Sequence, residues 1–310
     1  ISGVPAAVVS QPIAGASAGS VGAALATASG YVIPAAVAIA AAVWDMDLAT
    51  YGTYAQITKA GGTMYAMKIA TYNRAVETAG NNPQKWLPML HEAGVKVIHK
   101  CTSVRHSLKA QSIGCDAISV DGFECGGHPG EDDVPNFILL PRAADELKIP
   151  FVASGGMADG RSLVAALALG AEGMNMGTRF IATQEAPVHQ NVKDAIVAAS
   201  ELDTRLVMRP LRNTERVLRN AAVDRLIEKE KALGASIKFE DIIEEVAGVY
   251  PRIMQQGDME AGAWSCGMVA GLIHDIPTVK ELIDRIMGEA NTIIHKRLAG
   301  VCRRLSTAHE

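Results

Sequence analysis

A repeated alternation of short apolar segments with helical segments most constrains how this chain can fold. From residue 76 onward, each apolar segment ends in glycine or a polar residue and leads into a stretch with helical periodicity. The apolar segments lack polar alternation, which is typical of parallel strands buried on both faces. The pattern therefore predicts a series of βα units and an α/β fold.

Successive βα units can be read directly from the sequence. The strands are predicted at 76–80, 95–100, 117–121, 151–156 and 173–178, and the helices at 103–112, 139–147, 160–169 and from Arg179 onward. With room upstream for further strands, eight units would close into a (β/α)8 barrel, the TIM-barrel fold. An open doubly wound sheet is the alternative, but no GxGxxG loop opens a first βα turn.

The strand pattern stops after Glu185. Residues 191–232 and 239–247 show helical periodicity with no strand-like run between them, and 278–298 forms an amphipathic final helix. We predict a TIM-barrel domain over 1–190, a smaller helical second domain over 191–268, and a helix at about 278–303 that packs back on the barrel. A row of arginines at helical spacing favours a solvated helix face, with an anion site as the alternative. The row comprises Arg209, Arg212, Arg216 and Arg219.

Composition narrows the partners and the compartment. The 310 residues are 49% hydrophobic and 20% charged with a net charge of -4, which does not favour nucleic acid or anionic membranes as partners. The 5 cysteines lack metal-binding spacing, which indicates reduced thiols in the cytoplasm and no metal. Residues 1–44 are uncharged, but Gly30 and Pro34 interrupt them, so buried strands are expected there rather than a membrane span. We expect the partners to be small molecules, and the prediction allows for assembly as a homodimer.

One histidine lies in a glycine-rich loop directly after a predicted strand. The loop has the sequence Asp121-Gly122-Phe123-Glu124-Cys125-Gly126-Gly127-His128-Pro129-Gly130. Its glycines have no side chains, so a flat ligand could approach the backbone there. Histidine is the side chain suited to proton exchange near neutral pH. We therefore interpret His128 as a candidate base, with an ordinary surface histidine as the alternative.

Two glycine loops follow the strands that would be the seventh and eighth of a barrel, where barrels bind phosphate. Ser154-Gly155-Gly156 and Met176-Gly177-Thr178 would offer backbone N–H groups, a hydroxyl and a helix start to an anion. Lys100 and Asp121 end two earlier strands and are suited to a reduced flavin ring and to ribityl hydroxyls. Each could be a surface charge instead, but the carboxyl ends of barrel strands share one mouth.

Taken together, these motifs resemble the nitronate monooxygenase family, formerly called 2-nitropropane dioxygenases. The matching segments are His99-Lys100-Cys101, the string DGFECGGHPGEDD at 121–133, Ala153-Ser154-Gly155-Gly156, Asn175-Met176-Gly177-Thr178-Arg179-Phe180 and Trp264-Ser265-Cys266-Gly267-Met268. The resemblance runs from about Glu77 to the C-terminal helix and implies an FMN-dependent TIM barrel with a helical second domain. It also implies that His128 is the catalytic base or orients the substrate. The residues that it implies for FMN are Lys100, Asp121, Gly126, Gly155, Gly156, Gly177 and Thr178.

The N-terminal part departs from the family pattern. The family has Pro-Ile-x-Gln-Gly-Gly-Met in a strand under the flavin, whereas here Pro12-Ile13 is followed by Ala14-Gly15-Ala16-Ser17. The nearest counterpart of a second family motif, Val-Asn-Leu, is Val43-Trp44-Asp45-Met46. No N-terminal residue is therefore assigned to the site.

The resemblance implies oxidation of alkyl nitronates, or of nitroalkanes deprotonated by His128, by dioxygen to carbonyl compounds and nitrite. The alternative is an NAD(P)H:quinone reductase on the same FMN barrel, which the DGFECGGHPGEDD string especially resembles. A related flavin barrel that reduces enoyl thioesters is a third interpretation. Outside catalysis, the chain could be a flavin- or phosphate-binding module.

Overall fold

A curled sheet whose strands follow their order in the sequence organises the molecule. The computed structural model describes residues 57–59, 62–69 and 73–301, with side chains described from residue 75. The sheet has 7 strands. They are β1 (Ile57–Lys59), β2 (Gly62–Ile69), β3 (Asn73–Thr78), β4 (Val95–Cys101), β5 (Ala117–Asp121), β6 (Phe151–Ser154) and β7 (Met174–Asn175).

Strands β3 to β7 run parallel, each paired with the next. The helices between and after them are α1 (Leu87–Glu92), α2 (Val104–Ser112), α3 (Asn136–Glu146), α4 (Gly160–Ala168) and α5 (Thr178–Ile181). These elements confirm the βα units predicted from Val76 onward, although α3 begins at Asn136 rather than near Leu139. The parallel strands make a curled half-barrel. Closure by eight units would involve residues outside the described range and stays a prediction.

The start of the described sheet differs from the expected βα pattern. Strand β2 is antiparallel to both β1 and β3, with Tyr65 opposite Glu77. The reason lies in the connections, because β2 ends at Ile69 and β3 begins at Asn73. A parallel crossover needs roughly a dozen residues or more, so such a short link can only join antiparallel strands.

The main apolar core lies between the parallel strands and their helices. Strand β6 is buried along its whole length, and β5 is buried from Ile118 onward. Ile118 and Val120 contribute fully buried side chains from the sheet, and Leu140 and Ala143 do so from α3. The apolar strand segments predicted this burial on both faces of the sheet.

The C-terminal helix α10 (Val279–Thr292) begins at a capping box in which Thr278 and Glu281 exchange hydrogen bonds. It packs against α4, where the main-chain N–H of Gly160 donates to Glu289 Oε2 at 2.9 Å. The approach is close, because a Cβ at Gly160 would lie 2.5 Å from the main-chain nitrogen of Ala290. A π-helical turn (Ile293–Leu298) continues this helix. No helix among the described residues has the length and hydropathy to cross a membrane.

The segment expected to be purely helical contains a β-hairpin, so that prediction was wrong. Strands β8 (Thr204–Val207) and β9 (Glu215–Leu218) pair in antiparallel fashion. The helices of this segment are α6 (Gln190–Ala198), α7 (Ala221–Leu233), α8 (Ile243–Val246) and α9 (Tyr250–Met254). Every residue of β9 is buried, and isolated bridges link it to Gly127 and Ser265. Pairing with distant segments therefore determines the strand conformation of β9, although the local sequence pattern predicted a helix.

The arginine row does not lie on one continuous helix, so its interpretation as a solvated helix face was wrong, while the anion-site alternative stays a prediction. Arg209 lies in a 3₁₀ turn, and Arg212 follows it with φ of 51°. Arg216 is buried in β9, and Arg219 pairs with Asp224.

A second, smaller apolar cluster includes Val207, Val217, Val223, Leu226 and Ile242. The division into two domains stays a prediction.

Candidate active site at the carboxyl ends of the parallel strands

Three charged side chains meet where β3, β4 and β5 end. Lys100 Nζ lies 3.4 Å from Asp121 Oδ2 and 3.9 Å from Glu77 Oε1. Burial opposes the charge on Lys100, but the carboxylates of Asp121 and Glu77 outweigh it and raise the pKa of Lys100 above its usual value. The structure thus brings together Lys100 and Asp121, as their positions at neighbouring strand ends predicted.

Asp121 has an oxygen that the described residues leave unpaired. The residue is buried, and its Oδ1 has no hydrogen-bond partner in the part of the chain that the structure describes. Buried polar atoms are nearly always hydrogen-bonded in folded proteins. The Oδ1 atom is therefore placed to accept a hydrogen bond from a ligand.

Two further strands add polar side chains to this cluster. Ser154 Oγ on β6 lies 3.5 Å from Lys100 Nζ. Asn175 Nδ2 on β7 donates to Glu77 Oε1 at 2.9 Å and to Ser119 Oγ at 3.2 Å. Strands β3 and β7 are not neighbours in the sheet, so the Asn175–Glu77 bond crosses the interior of the curled sheet. Sequence reasoning did not identify Glu77 or Asn175 as site residues; their positions at strand ends were the signal.

The double-glycine loop after β6 is held in a conformation that favours glycine. Gly155 and Gly156 have φ of 85° and 76°. A Cβ at Gly155 would lie 3.0 Å from Cys125 Cβ and 3.0 Å from the carbonyl oxygen of Gly122. The loops that contain Ser154 and Cys125 are thus packed against each other, as one site requires.

Asn136, at the start of α3, joins these same two loops and was missed by sequence reasoning. Its Nδ2 donates to the carbonyl oxygens of Ser154 and Gly155, both at 2.7 Å. Its main-chain N–H donates to both carboxylate oxygens of Glu124 at 3.1 Å. Asn136 therefore fixes the double-glycine loop relative to the histidine loop.

The loop after β7 differs partly from the expected phosphate site. Gly177 leaves open space, since nothing lies within 4 Å of a Cβ built there. Thr178 is buried, and its Oγ1 accepts a hydrogen bond from the main-chain N–H of Gly267 at 3.0 Å. The helix that follows ends at Ile181, so it offers a much smaller dipole than the expected longer helix. Met176 is buried in the main apolar core.

Gly126 allows two loops to touch through their backbones. A Cβ at Gly126 would lie 2.7 Å from the nitrogen of Gly267 and 2.8 Å from the carbonyl carbon of Cys266. The segment around Trp264 and Cys266 thereby packs against the histidine loop. Only the family resemblance had connected these two stretches of sequence.

The histidine loop is also held by the hairpin. Gly127 donates to the carbonyl oxygen of Arg216 at 3.0 Å and accepts from its N–H at 2.6 Å. The Arg216 guanidinium donates through Nη2 to the carbonyl oxygen of Phe123 at 2.9 Å and lies 4.5 Å from the centre of the Phe123 ring. Arg216 therefore holds the loop at both ends, a role that its sequence pattern did not indicate.

His128 follows this anchored loop. Its side chain is half-buried, and its Nε2 is buried without a hydrogen-bond partner among the described residues. A ring nitrogen in that position can exchange a proton with a small molecule that reaches it.

The cysteines of the described chain do not add a nucleophile. Cys101, Cys115, Cys125 and Cys266 are buried free thiols. Burial raises the pKa of Cys101 and of Cys266 to about 12, which suppresses the reactive thiolate. Within residues 75–301, no group of three or more histidine, cysteine or acidic side chains could hold a metal ion.

Comparison with known proteins identifies the family. Residues 34–289 match the family model described as nitronate monooxygenase. A (3aS,4S,5R,7aS)-5-hydroxy-7a-methyl-1-oxo-octahydro-1H-indene-4-carboxyl-CoA dehydrogenase from Rhodococcus jostii is 34% identical over 242 residues, 67% of this chain and 68% of that protein. A probable nitronate monooxygenase from Staphylococcus aureus is 36% identical over 135 residues, 41% of this chain and 38% of that protein.

Solved structures show the same fold. FabK from Thermotoga maritima has a TM-score of 0.68 and 36% identity, covering 73% of this chain and 70% of that one. Nitroalkane oxidase from Streptomyces ansochromogenes shares the fold, with a TM-score of 0.57 and 22% identity over 69% of this chain and 62% of that one. The fold and these likenesses define an α/β oxidoreductase. The chain belongs to the nitronate monooxygenase family, a family of flavoproteins.

Proposed function

We propose that this protein binds FMN at the carboxyl ends of β3 to β7 and oxidises alkyl nitronates with dioxygen to carbonyl compounds and nitrite. The observation that carries the proposal is the meeting of Lys100, the unpartnered Oδ1 of Asp121 and the double-glycine loop at one end of the sheet. Family membership supports the reaction type. Nitroalkanes would enter the same reaction after losing a proton.

The donor set fits the three parts of FMN. The unpartnered Asp121 Oδ1 would accept a hydrogen bond from a ribityl hydroxyl. Lys100, which two carboxylates hold as a cation, would face negative charge on the ring. The main chain of Gly156 and the open backbone at Gly177, with the Thr178 hydroxyl, would receive the phosphate. Gly126 and Gly155 would contribute main-chain groups to the site, since a neighbouring loop fills the space beside each of them.

FMN supplies the two-electron acceptor that the chain's own side chains lack. His128 would take the acidic proton from the carbon beside the nitro group through its unpartnered Nε2. A well-placed general base contributes roughly 10²- to 10⁴-fold. Arg216 fixes the loop before His128, so the imidazole ring would meet the substrate in a defined position. The entropy cost of ordering this side chain would then not have to be met during the reaction.

A second substrate class has an observation in its favour. Relatives that align over 67% of this chain are named carboxyl-CoA dehydrogenases, at 34% identity in Rhodococcus jostii and 32% in Mycobacterium tuberculosis. These alignments are longer than those to the probable nitronate monooxygenases. In a reaction on a CoA thioester, His128 would exchange a proton with carbon near the thioester carbonyl.

The NAD(P)H:quinone reductase alternative remains a prediction from the DGFECGGHPGEDD string, and it needs no residue beyond the same FMN site. In that reaction a nicotinamide stacked on the flavin would deliver hydride, so no separate dinucleotide fold is required.

Aerobic turnover of the FMN-loaded protein tests these reactions side by side. Propyl nitronate, NADH with benzoquinone, and NADH with crotonyl-CoA are supplied in separate assays. We expect nitrite to form and oxygen to be consumed with the nitronate, at a kcat/KM above those of the other two assays. Rapid NADH oxidation by quinone or by the thioester, with no nitrite from the nitronate, would replace the proposed reaction by that rival.

A further inference from the structure

We propose that Glu77 sets the reduction potential of the bound flavin through Lys100. The inference rests on the proposed function, because it takes FMN as the ligand beside Lys100. Glu77 is a positioning and tuning residue here, since its carboxylate contacts Lys100 rather than being assigned to the ligand itself.

The Glu77 carboxylate is held in place from across the sheet. Its side chain is only 12% exposed, and its Oε1 lies 3.9 Å from Lys100 Nζ. The same oxygen accepts the 2.9 Å hydrogen bond from Asn175 Nδ2, and that amide also donates to Ser119 Oγ. Glu77 on β3 is therefore fixed by residues of β5 and β7, and its negative charge has a defined position next to Lys100.

The charges of this cluster do not cancel. Lys100 contributes one positive charge, while Asp121 and Glu77 each place a carboxylate beside it. Asp121 is already assigned to a ribityl hydroxyl by its unpartnered Oδ1. Glu77 is not assigned to the ligand, and its carboxylate beside Lys100 weakens the positive field that Lys100 presents.

That field matters because flavin gains charge on reduction. Uptake of two electrons and one proton from the reductant and solvent leaves the flavin with one additional negative charge. A nearby cation favours this change, and a nearby anion opposes it. Glu77 therefore lowers the reduction potential, which suits an enzyme whose reduced flavin must pass both electrons on to dioxygen.

Glu77→Gln separates the charge from the shape. The amide oxygen of glutamine can still accept from Asn175, while the negative charge next to Lys100 is lost. A unit charge that acts over roughly 10 Å at an effective dielectric constant of about 20 changes an equilibrium on the order of tenfold. We expect flavin reduction to become about tenfold more favourable, a rise of about 30 mV for a two-electron couple.

The potential is measured by anaerobic reduction with xanthine and xanthine oxidase against a reference dye. Glu172→Gln is the matched control, because Glu172 is exposed and lies just ahead of β7, at the opposite end of the strands. Glu77→Asp keeps the charge and should stay close to the unsubstituted protein. If Glu77→Gln does not fold, Glu77→Met, another neutral side chain of similar length, should give the same rise.

The outcomes separate the two proposals. An unchanged potential in a neutral Glu77 variant that still binds FMN overturns the role of Glu77 and leaves the proposed function intact. An equal rise in Glu172→Gln also overturns it, since the effect would then be one of overall charge. Failure of the unsubstituted protein to bind added FMN would instead remove the proposed function itself.

Discussion

Arg216 exchanges two main-chain hydrogen bonds with Gly127, the residue immediately before His128. The same arginine caps the carbonyl oxygen of Phe123 with its guanidinium. The loop that carries the candidate base is thus positioned by a hairpin that lies outside the parallel sheet. The position of His128 therefore depends on how well that hairpin is held.

Arg216→Lys should loosen this loop while keeping a positive charge. Lysine cannot reproduce the planar fork that meets Phe123 and Thr204, so we expect a loss of about 2 kcal/mol in the free energy of unfolding. A displaced His128 should lower kcat roughly tenfold to a hundredfold. Denaturant unfolding and steady-state kinetics check both. Arg219→Lys, at an exposed arginine of the same hairpin segment, should leave both unchanged; equal effects there would show that Arg216 has no special role.

His128→Asn should separate nitroalkanes from nitronates. Turnover of a neutral nitroalkane requires proton removal and should fall about 10²- to 10⁴-fold. Turnover of the preformed nitronate, which has already lost that proton, should fall far less, and FMN should remain bound. His106→Asn, at an exposed histidine of α2, is the control. An equal loss on both substrates would mean that His128 orients the substrate rather than accepting its proton.

Asp121→Asn should weaken FMN binding. A buried carboxylate oxygen that accepts a ligand hydroxyl contributes about 1.5–3 kcal/mol, so we expect the Kd for FMN to rise roughly 10- to 100-fold. Fluorescence titration of the apoprotein with FMN measures the change. Asp145→Asn on the exposed face of α3 should bind FMN as the unsubstituted protein does. Unaltered affinity in Asp121→Asn would exclude Asp121 from the flavin site.

Gly126→Ala should force two loops apart. The new methyl group would meet backbone atoms of Cys266 and Gly267, which cannot rotate away as a side chain could. We expect about 1–3 kcal/mol of destabilisation together with weaker FMN binding. Gly288→Ala is the matched control, because a Cβ there meets nothing within 4 Å and alanine favours a helix. A Gly126→Ala protein of full stability would show that the loops do not touch as described.

Because His99 is buried, we expect the free energy of unfolding to fall in acid. Its Nδ1 lies 2.7 Å from Thr78 Oγ1, and burial lowers the pKa of His99 from 6.5 to about 4. Between these values the unfolded chain binds a proton that the folded protein does not, so stability falls as the pH falls through this window. The loss should reach roughly 3 kcal/mol near pH 4. Unfolding curves from pH 7 to pH 4 test this. If the free energy of unfolding of His99→Gln fell with pH as steeply as that of the unsubstituted protein, the expectation would be contradicted.

The βα units and the Lys100–Asp121 pair could be predicted because their signals are local. Apolar strands, terminal glycines and the shared edge of parallel strand ends need no knowledge of distant contacts. Glu77 and Asn175 could not be paired in this way, since their hydrogen bond crosses the interior between strands that are not neighbours. Strand β9 was missed because its charged residues Glu215 and Arg216 are buried only through tertiary contacts.

The most direct measurement follows the visible flavin band of the purified, FMN-loaded protein after anaerobic mixing with propyl nitronate in one cuvette and NADH in another. We expect rapid bleaching by the nitronate and little change with NADH, followed by return of the band and release of nitrite when oxygen is admitted. Bleaching by NADH alone, or a protein that binds no FMN, would contradict the proposed function.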